Sequence, residues 1–482
     1  MPIAVQISRM LGANPCSQMW SVIKSRTWRW RGVSVFMDGP LCGGVRWCMV
    51  SAPQRASRGH SVQGFSMNSS APAAQTPAAG APRVAHVYNF LHPRRGGPPQ
   101  VITQLARAQL AAGWRVRLIA EDVDAPEVRA ALRAALGDPP GLELRRLASR
   151  RGLLLSLAAR WARAREALDA LLDGVDVAHL HSVWPPQCAA LSARCRARGL
   201  PYVLTLHGHL RPEALAIKPL KKRLALLALG YGELLRGATR VQALSEGERE
   251  EAAAWGLRAP IRVVPNGAPL DELRDPVGRA PLEALLPALG GAPYALFLSR
   301  IHPPKGTLDL ARAFARLAPR YPALRLVVAG VDEGGGLAQM RAALAAEGLL
   351  ARAHFPGFLS GAAKASALQN AAAFCLPSYH EGFSVAALEA LAAGAPAVLA
   401  RGCRFPEAAA AGVSWEHPNG VEGLTDALDA VLRDPVAARA RALRARDWVA
   451  ARYSWARVSE QLSALYEEAR EEAREEAREE AR

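Results

Sequence analysis

The sequence contains no run of eighteen apolar residues, so no helix drawn from it is built to span a bilayer. Its first residues also lack the apolar stretch of a secretory signal. Cysteine is scarce. There are seven in 482 residues, an odd number, with no CxxC or other metal-ligand spacing. Cys16, Cys42 and Cys48 fall in the first fifty residues, and Cys188, Cys195, Cys375 and Cys403 are scattered. This usage argues against a disulfide framework and suits reduced thiols in the cytoplasm. No HExxH pattern occurs, because His380-Glu381 lacks its second histidine, and no GxGxxG fingerprint marks a dinucleotide site. Acidic residues are outnumbered, 43 against 60 Lys and Arg, for a net charge of +17. That balance favours nucleic acid, anionic lipid or phosphorylated substrates without choosing among them. Beyond residue 81 no aromatic–basic interleaving supports a nucleic-acid module, so no nucleic-acid partner is expected.

What is present is enough apolar residue for two cores: half of the chain is hydrophobic and the mean hydropathy is +0.01. Residues 1–81 stand apart. They carry Trp20, Trp28, Trp30 and Trp47, many Ser and Arg, and no sustained period, and they end in a Pro/Ala/Ser linker from Asn68 to Arg83. They read either as a functional extension or as a start codon set too early, with translation beginning near Met67. The composition shift at that Met favours the second.

From residue 82 the pattern alternates regularly. Strands are predicted at Val84–Phe90, Val116–Ala120, Leu142–Leu147, Val175–His181, Tyr202–His207, Thr239–Ala243 and Ile261–Val264. A second series is predicted at Tyr294–Ser299, Leu324–Ala329, Ala353–Phe355, Phe374–Leu376, Ala397–Ala400 and Val413–Trp415. Ala- and Leu-rich helices separate them. This predicts an α/β fold of two facing Rossmann-like domains with parallel sheets, spanning 82–270 and 294–446, with a central cleft at the strand C-termini. A Pro- and Gly-rich stretch, 271–293, reads as the connection and 447–466 as a closing helix. The four EEAR repeats of 467–482 read as a charged, solvated helix.

The most informative stretch is Phe374–Ala400, FCLPSYHEGFSVAALEALAAGAPAVLA. A strand, a loop holding His380, Glu381 and Gly382, a helix from about Phe383 and a second strand follow one another. Free amides at Gly382, Phe383, Ser384 and Val385 would cradle a diphosphate, assisted by the helix dipole. Glu389 lies in a helix otherwise made of Ala, Leu, Val and Ser, and so needs water or a partner; its two oxygens suit the hydroxyls of a ribose. Glu381 would face the sugar beyond the phosphates. The step from Glu381 to Glu389, with EGF at one end and LEAxAxGxPxV at the other, resembles the E-x7-E signature of retaining GT-B glycosyltransferases of family 4.

Further segments extend that resemblance. In LFLSRIHPPKGTLDLARAF, Arg300 and Lys305 match the family's SR-x-x-x-x-KG motif, and two cations at a strand end would stabilise a departing nucleoside diphosphate. His207, in TLHGHL, stands where the family has a histidine beside the transferred sugar. Gly96 and Gly97, after Arg94 and Arg95, resemble the glycine-rich first loop. Phe358, after HFPG, occupies a position that frames the base, and Asn266-Gly267 matches a PNG turn before the connection. The resemblance implies transfer of a sugar, with retention, from a nucleotide-sugar donor to a carbohydrate or lipid-linked acceptor in polysaccharide or glycolipid assembly. It implies no cofactor beyond that donor, and no metal. Asp122-Val123-Asp124 fits a bare DxD metal pattern but falls in the wrong half and reads as loop acids. His179-x-His181 and His207-x-His209 put two imidazoles on one strand face, yet no carboxylate or cysteine completes either set. Lys218, Lys221, Lys222 and Arg223 before LALLALGYGELL read either as the rim of a core helix or as a peripheral contact at the inner face of a membrane. Two other classes stay open: a basic nucleic-acid-binding protein, and a catalytically silent scaffold of the same fold.

Overall fold

The computed structural model describes residues 28–30, 33–35, 77–78, 80–93, 96–147, 162–216, 218–480 and 482. Arg94, Arg95 and most of the N-terminal extension lie outside them. The chain divides into two compact units, Met1–Ser66 and Met67–Arg482. In the first, strands β1 (Trp28–Trp30) and β2 (Val33–Val35) pair antiparallel.

The second unit holds two parallel sheets. One contains β3 (Arg83–Val87), β4 (Arg115–Ala120), β5 (Leu142–Arg146), β6 (Val177–His181), β7 (Tyr202–Thr205), β8 (Arg240–Ala243) and β9 (Ile261–Val263), in the order β5-β4-β3-β6-β7-β8-β9. The other contains β10 (Tyr294–Leu298), β11 (Arg325–Ala329), β12 (Ala353–Gly357), β13 (Ala373–Leu376), β14 (Ala397–Ala400) and β15 (Trp415–His417), in the order β12-β11-β10-β13-β14-β15. In each sheet the winding reverses beside its first strand, at β3/β6 and at β10/β13. Reversal opens a crevice at the strand C-termini, where ligands bind in such sheets. All thirteen predicted strands have a counterpart. Several are shorter than predicted because the loop begins inside the apolar run: β7 stops at Thr205, since His207 turns into a left-handed conformation with φ 52°.

Seven helices position the site. Helix α1 (Gly97–Ala111) opens on Pro98-Pro99, whose missing amides cost nothing in a first turn. Helix α2 is Pro219–Ala228. Helix α3 (Glu246–Ala254) is capped by Ser245, which accepts from the Glu248 amide. Helices α4 (Gly361–Gln369) and α5 (Val385–Ala393) pack side by side beneath the second sheet's crevice. Ser384 caps α5 by accepting from the Ala387 amide, and Gly394 ends it at φ 73°. Helices α6 (Pro435–Arg452) and α7 (Trp455–Glu480) complete the chain.

Two departures from the sequence reading concern connections. The stretch 271–293 is no bare linker. Leu273, Leu282 and Leu289 are buried in the core of the second sheet's domain, and the Gln369 side chain accepts from the Val277 amide at 2.7 Å and donates to the Leu273 carbonyl at 2.7 Å. The closing helix is two helices with a break at Tyr453-Ser454. Helix α6 stays on the second domain through Ala438, Ala445 and Val449. Helix α7 returns to the first, where Val458, Leu462, Leu465 and Tyr466 share a core with Leu105 and Val177.

The EEAR repeats continue α7, and their first part is docked rather than solvated. Ala469 is buried, Glu468 pairs with Arg262 at 2.8 Å, Glu472 pairs with Arg240, and Arg470 lies 3.3 Å from Asp176. The four-residue step that stacks like charges on one helix face also aims them at a basic sheet edge. Among the described residues, no helix is long and apolar enough to cross a membrane.

Candidate functional site

A cavity of about 510 Å³ opens between the two sheets at their strand C-termini. Residues of both halves line it. Gly96 ends the loop after β3 and Gly97 opens α1, while His207 comes from the loop after β7. Arg300 and Lys305 follow β10, and Phe358 follows β12. Glu381, Gly382, Phe383, Ser384, Val385 and Glu389 run from the end of β13 into α5. The structure therefore brings the candidate catalytic and donor-binding residues around one space, although they span almost three hundred positions.

The junction of β13 and α5 differs from expectation in one respect. The Val385 amide is already engaged, donating to the Phe383 carbonyl at 3.1 Å. The amides of Gly382, Phe383 and Ser384 have no partner among the described residues and remain available to an anion.

The acids and bases of the site are paired. Lys305 Nζ lies 2.5 Å from Glu381 Oε1, with both side chains only about a tenth exposed. Glycine makes this contact possible. Gly306 adopts φ 70°, and a Cβ there would come within 2.1 Å of the Pro377 carbonyl oxygen, so the lysine loop packs directly on the end of β13. Arg300 is different: its guanidinium is half exposed and reaches Glu333 at 2.8 Å, a contact that solvent weakens.

Glu389 has the partner that its apolar helix demanded. Lys364 Nζ on α4 donates to Glu389 Oε1 at 2.9 Å, and both groups are nearly buried. Burial opposes the lysine's charge, but Glu389 and then Glu272 facing it hold its pKa above the ordinary value. Sequence reasoning missed Lys364. Its signal was the one that exposed Glu389, a single charge in the apolar helix GAAKASALQ.

Glu248 on α3 was also missed, although Ser245-x-x-Glu248 has the capping-box spacing. Its buried carboxylate accepts from the Gly208 amide at 2.5 Å and the Leu244 amide at 2.7 Å. Burial pushes its pKa up to about 7, against the pull of those two amides. The effect is to clamp the His207-Gly208 turn. A Cβ on Gly208 would sit 2.9 Å from Gly382 Cα, so the turn touches the α5 loop through bare backbone. His207 is held beside the cavity with its pKa pushed down to about 3 by burial and then by nearby His209.

The remaining candidates resolve as follows. Asp122 spends its carboxylate on the Leu91 and His92 amides at 2.8 and 3.1 Å, and Asp124 pairs with Arg129, so both are scaffold acids of the loop. Asn266 lines the cavity. Gly267 is required for packing, because a Cβ would meet the Trp455 ring at 2.4 Å. His179 and His181 gain a third imidazole that the sequence did not reveal: His86 on the neighbouring strand, with one ring nitrogen of each lying within 4.8 Å of the others.

Comparison with known proteins gives this geometry relatives. Residues 286–448 match the family described as Glycosyl transferases group 1, and residues 96–267 match the Glycosyl transferase 4-like domain. A D-inositol 3-phosphate glycosyltransferase of Mycobacterium avium is 38% identical over 220 residues, 44% of this chain and 50% of that one. A glycogen synthase of Mycobacterium tuberculosis is 32% identical over 214 residues, 44% of this chain and 49% of that one. The chain thus spans about half the length of the curated relatives it matches. Among solved structures, a sucrose-phosphate synthase from Thermosynechococcus elongatus superposes with a TM-score of 0.65 at 22% identity, over 80% of this chain and 98% of that one. Anabaena HepE in complex with UDP and glucose superposes with a TM-score of 0.64 at 17% identity, over the same shares. At such identities the likeness is one of fold.

Proposed function

This chain belongs to the GT-B glycosyltransferases of the family 4 type, and on that premise we propose that it moves a sugar from a nucleoside-diphosphate donor to an acceptor hydroxyl with retention at the anomeric carbon. The observation that carries the reading is the set of groups around the one cavity: three unpartnered amides at the mouth of α5, two cations beside them, and a buried carboxylate at each end. The amides of Gly382, Phe383 and Ser384 and the cations Arg300 and Lys305 hold the diphosphate. Lys305 exchanges its contact with Glu381 for the arriving phosphates, which frees Glu381 to grip the donor sugar. Glu389, fixed by Lys364, takes the ribose, and Phe358 frames the base. Gly96 and Gly97 leave room for the donor on the first domain's side, where His207 meets the sugar. The leaving phosphate accepts the acceptor's proton on the face it departs from. The carbon–oxygen bond to phosphate breaks as the bond to the acceptor oxygen forms.

The acceptor is a carbohydrate or a lipid-linked sugar, reached from the cytoplasmic side of a membrane. Supporting this, α2 exposes Leu220, Leu224 and Leu227 at 70%, 55% and 58%, a stripe at helical spacing with Lys218, Lys221 and Arg223 alongside. Lys222 turns inward instead, over the Trp184 ring at 5.2 Å.

The stereochemical outcome is testable without knowing the acceptor. Slow donor hydrolysis, followed by proton NMR of the freshly released sugar, is expected to show the donor's own anomeric configuration, with and without EDTA. Release of the opposite anomer contradicts the mechanism.

A further inference from the structure

Behind His207 runs a chain of buried polar side chains. It begins at the Val264 carbonyl, which can only accept. Gln242 Nε2 donates to it at 2.8 Å, which turns Gln242 Oε1 toward Thr205 and makes the Thr205 hydroxyl its donor at 2.6 Å. Thr205 Oγ1 must then accept from His179 Nε2 at 2.6 Å, so His179 carries its proton on Nε2. His179 Nδ1 therefore accepts from the Tyr466 hydroxyl at 2.6 Å, and Tyr466 accepts from Gln109 Nε2 at 3.2 Å. Gln109 Oε1 accepts from His86 Nε2 at 2.6 Å, leaving His86 Nδ1 to accept from His181 Nε2 at 2.9 Å. His181 Nδ1 is thereby an acceptor facing His207 Nε2 at 3.4 Å. Each step follows from the one before, and every link is buried or nearly so.

We infer that this chain is a tautomer lock: it keeps the proton of His207 on Nε2 and presents Nδ1 as a hydrogen-bond acceptor to a sugar hydroxyl in the cavity. Gln109, His86, His181 and Tyr466 are thus positioning residues that act through His207. Burial, the leading cause, lowers the pKa of all four histidines, in keeping with a chain of neutral rings. The chain also accounts for the cluster of His86, His179 and His181 without a metal, since the ring nitrogens that would ligate an ion are already engaged with one another or with Gln109, Tyr466 and Thr205. The inference rests on the proposed reading only where it gives His207 a sugar to meet.

The test is nitrogen NMR of the full chain carrying 15N-histidine, with single His→Phe variants for assignment. His86, His179, His181 and His207 are each expected to show a proton on Nε2 and a bare Nδ1, unchanged by equimolar zinc. A proton on Nδ1 of His207 in the wild type, or zinc displacing the cluster's protons, overturns the lock. Gln109→Leu removes the group that fixes His86. It is expected to produce an Nδ1-protonated population at His207 and to lower kcat about tenfold with little change in donor KM, the scale of one hydrogen bond. Gln109→Glu, which can be protonated toward Tyr466 and still accept from His86, is expected to restore both. Should the tautomers match while His207→Phe leaves transfer intact, the lock survives and the role given to His207 in sugar transfer fails.

Discussion

At the scale of single residues, the site is governed by what it costs to leave a charge buried alone. Glu389 and Lys364 lie 2.9 Å apart and nearly out of water. Glu389→Ala removes the ammonium's hydrogen-bonded partner, leaving only Glu272 facing it, and is expected to cost about 3 kcal/mol of stability as well as donor affinity. Replacing both, as Glu389→Leu with Lys364→Met, is expected to recover most of the stability but none of the affinity. Chemical denaturation and calorimetric titration of the double variant separate the two roles; recovered affinity would show that Glu389 does not hold the donor. Arg300 and Lys305 should not be equivalent either. Lys305 is enclosed and Arg300 half exposed, so Lys305→Met is expected to slow transfer by about a hundredfold and Arg300→Met by less. Steady-state kinetics of the two variants decide the order.

At the scale of elements, β3, β6 and the turn after β7 carry imidazoles into buried positions, and this makes stability depend on pH with a definite sign. Burial holds His86 at about 4 and His207 at about 3, below the ordinary 6.5. The unfolded chain therefore takes up protons first. The stabilisation is complete above about pH 6.5 and is lost as pH falls toward those values. Glu248, raised to about 7, works the other way: it costs stability as pH rises from 4.5 toward 7. Glu407, also raised by burial, works with it, but the two stand against several imidazoles, so denaturant midpoints are expected to fall between about pH 7 and pH 5. Equal midpoints would contradict the buried neutral rings. Helix α2 supplies a separate test. Co-sedimentation with vesicles containing phosphatidylglycerol is expected for the wild type and lost in Leu224→Glu with donor binding intact; sedimentation unchanged by the substitution would remove the membrane contact.

What could be read from the sequence follows the same division. The β13–α5 unit was legible because its loop, cap and two carboxylates are contiguous and their spacing is itself the signal. Strand alternation gave both sheets, since fully buried parallel strands read as short apolar runs. Partners from distant segments were not legible. Lys364 meets Glu389 from another helix, and His86 meets His181 across 95 positions, so no local period links them. The Val385 amide reads as free in the sequence, which does not show that the turn folds back on Phe383.

At the scale of the whole molecule, two elements tie the halves together. Helix α7 leaves the second domain at Tyr453 and buries Leu462, Leu465 and Tyr466 in the first. On the other side of the cleft, Glu251 on α3 meets both Arg211 of the first domain and Arg404 of the second. Beyond Arg470 the repeats add the partly exposed Glu472–Arg240 pair, so truncation there is expected to cost no more than about 1 kcal/mol, by denaturation of the full and truncated chains. The central claim, however, is that the cleft these elements frame holds a nucleoside-diphosphate sugar. Calorimetric titration of the wild type and of Glu389→Ala with UDP-, GDP- and ADP-sugars tests it most directly. Saturable binding of one donor by the wild type, weakened by on the order of a hundredfold in the variant, is the predicted result. No binding of any of them, or equal binding by both proteins, would contradict it.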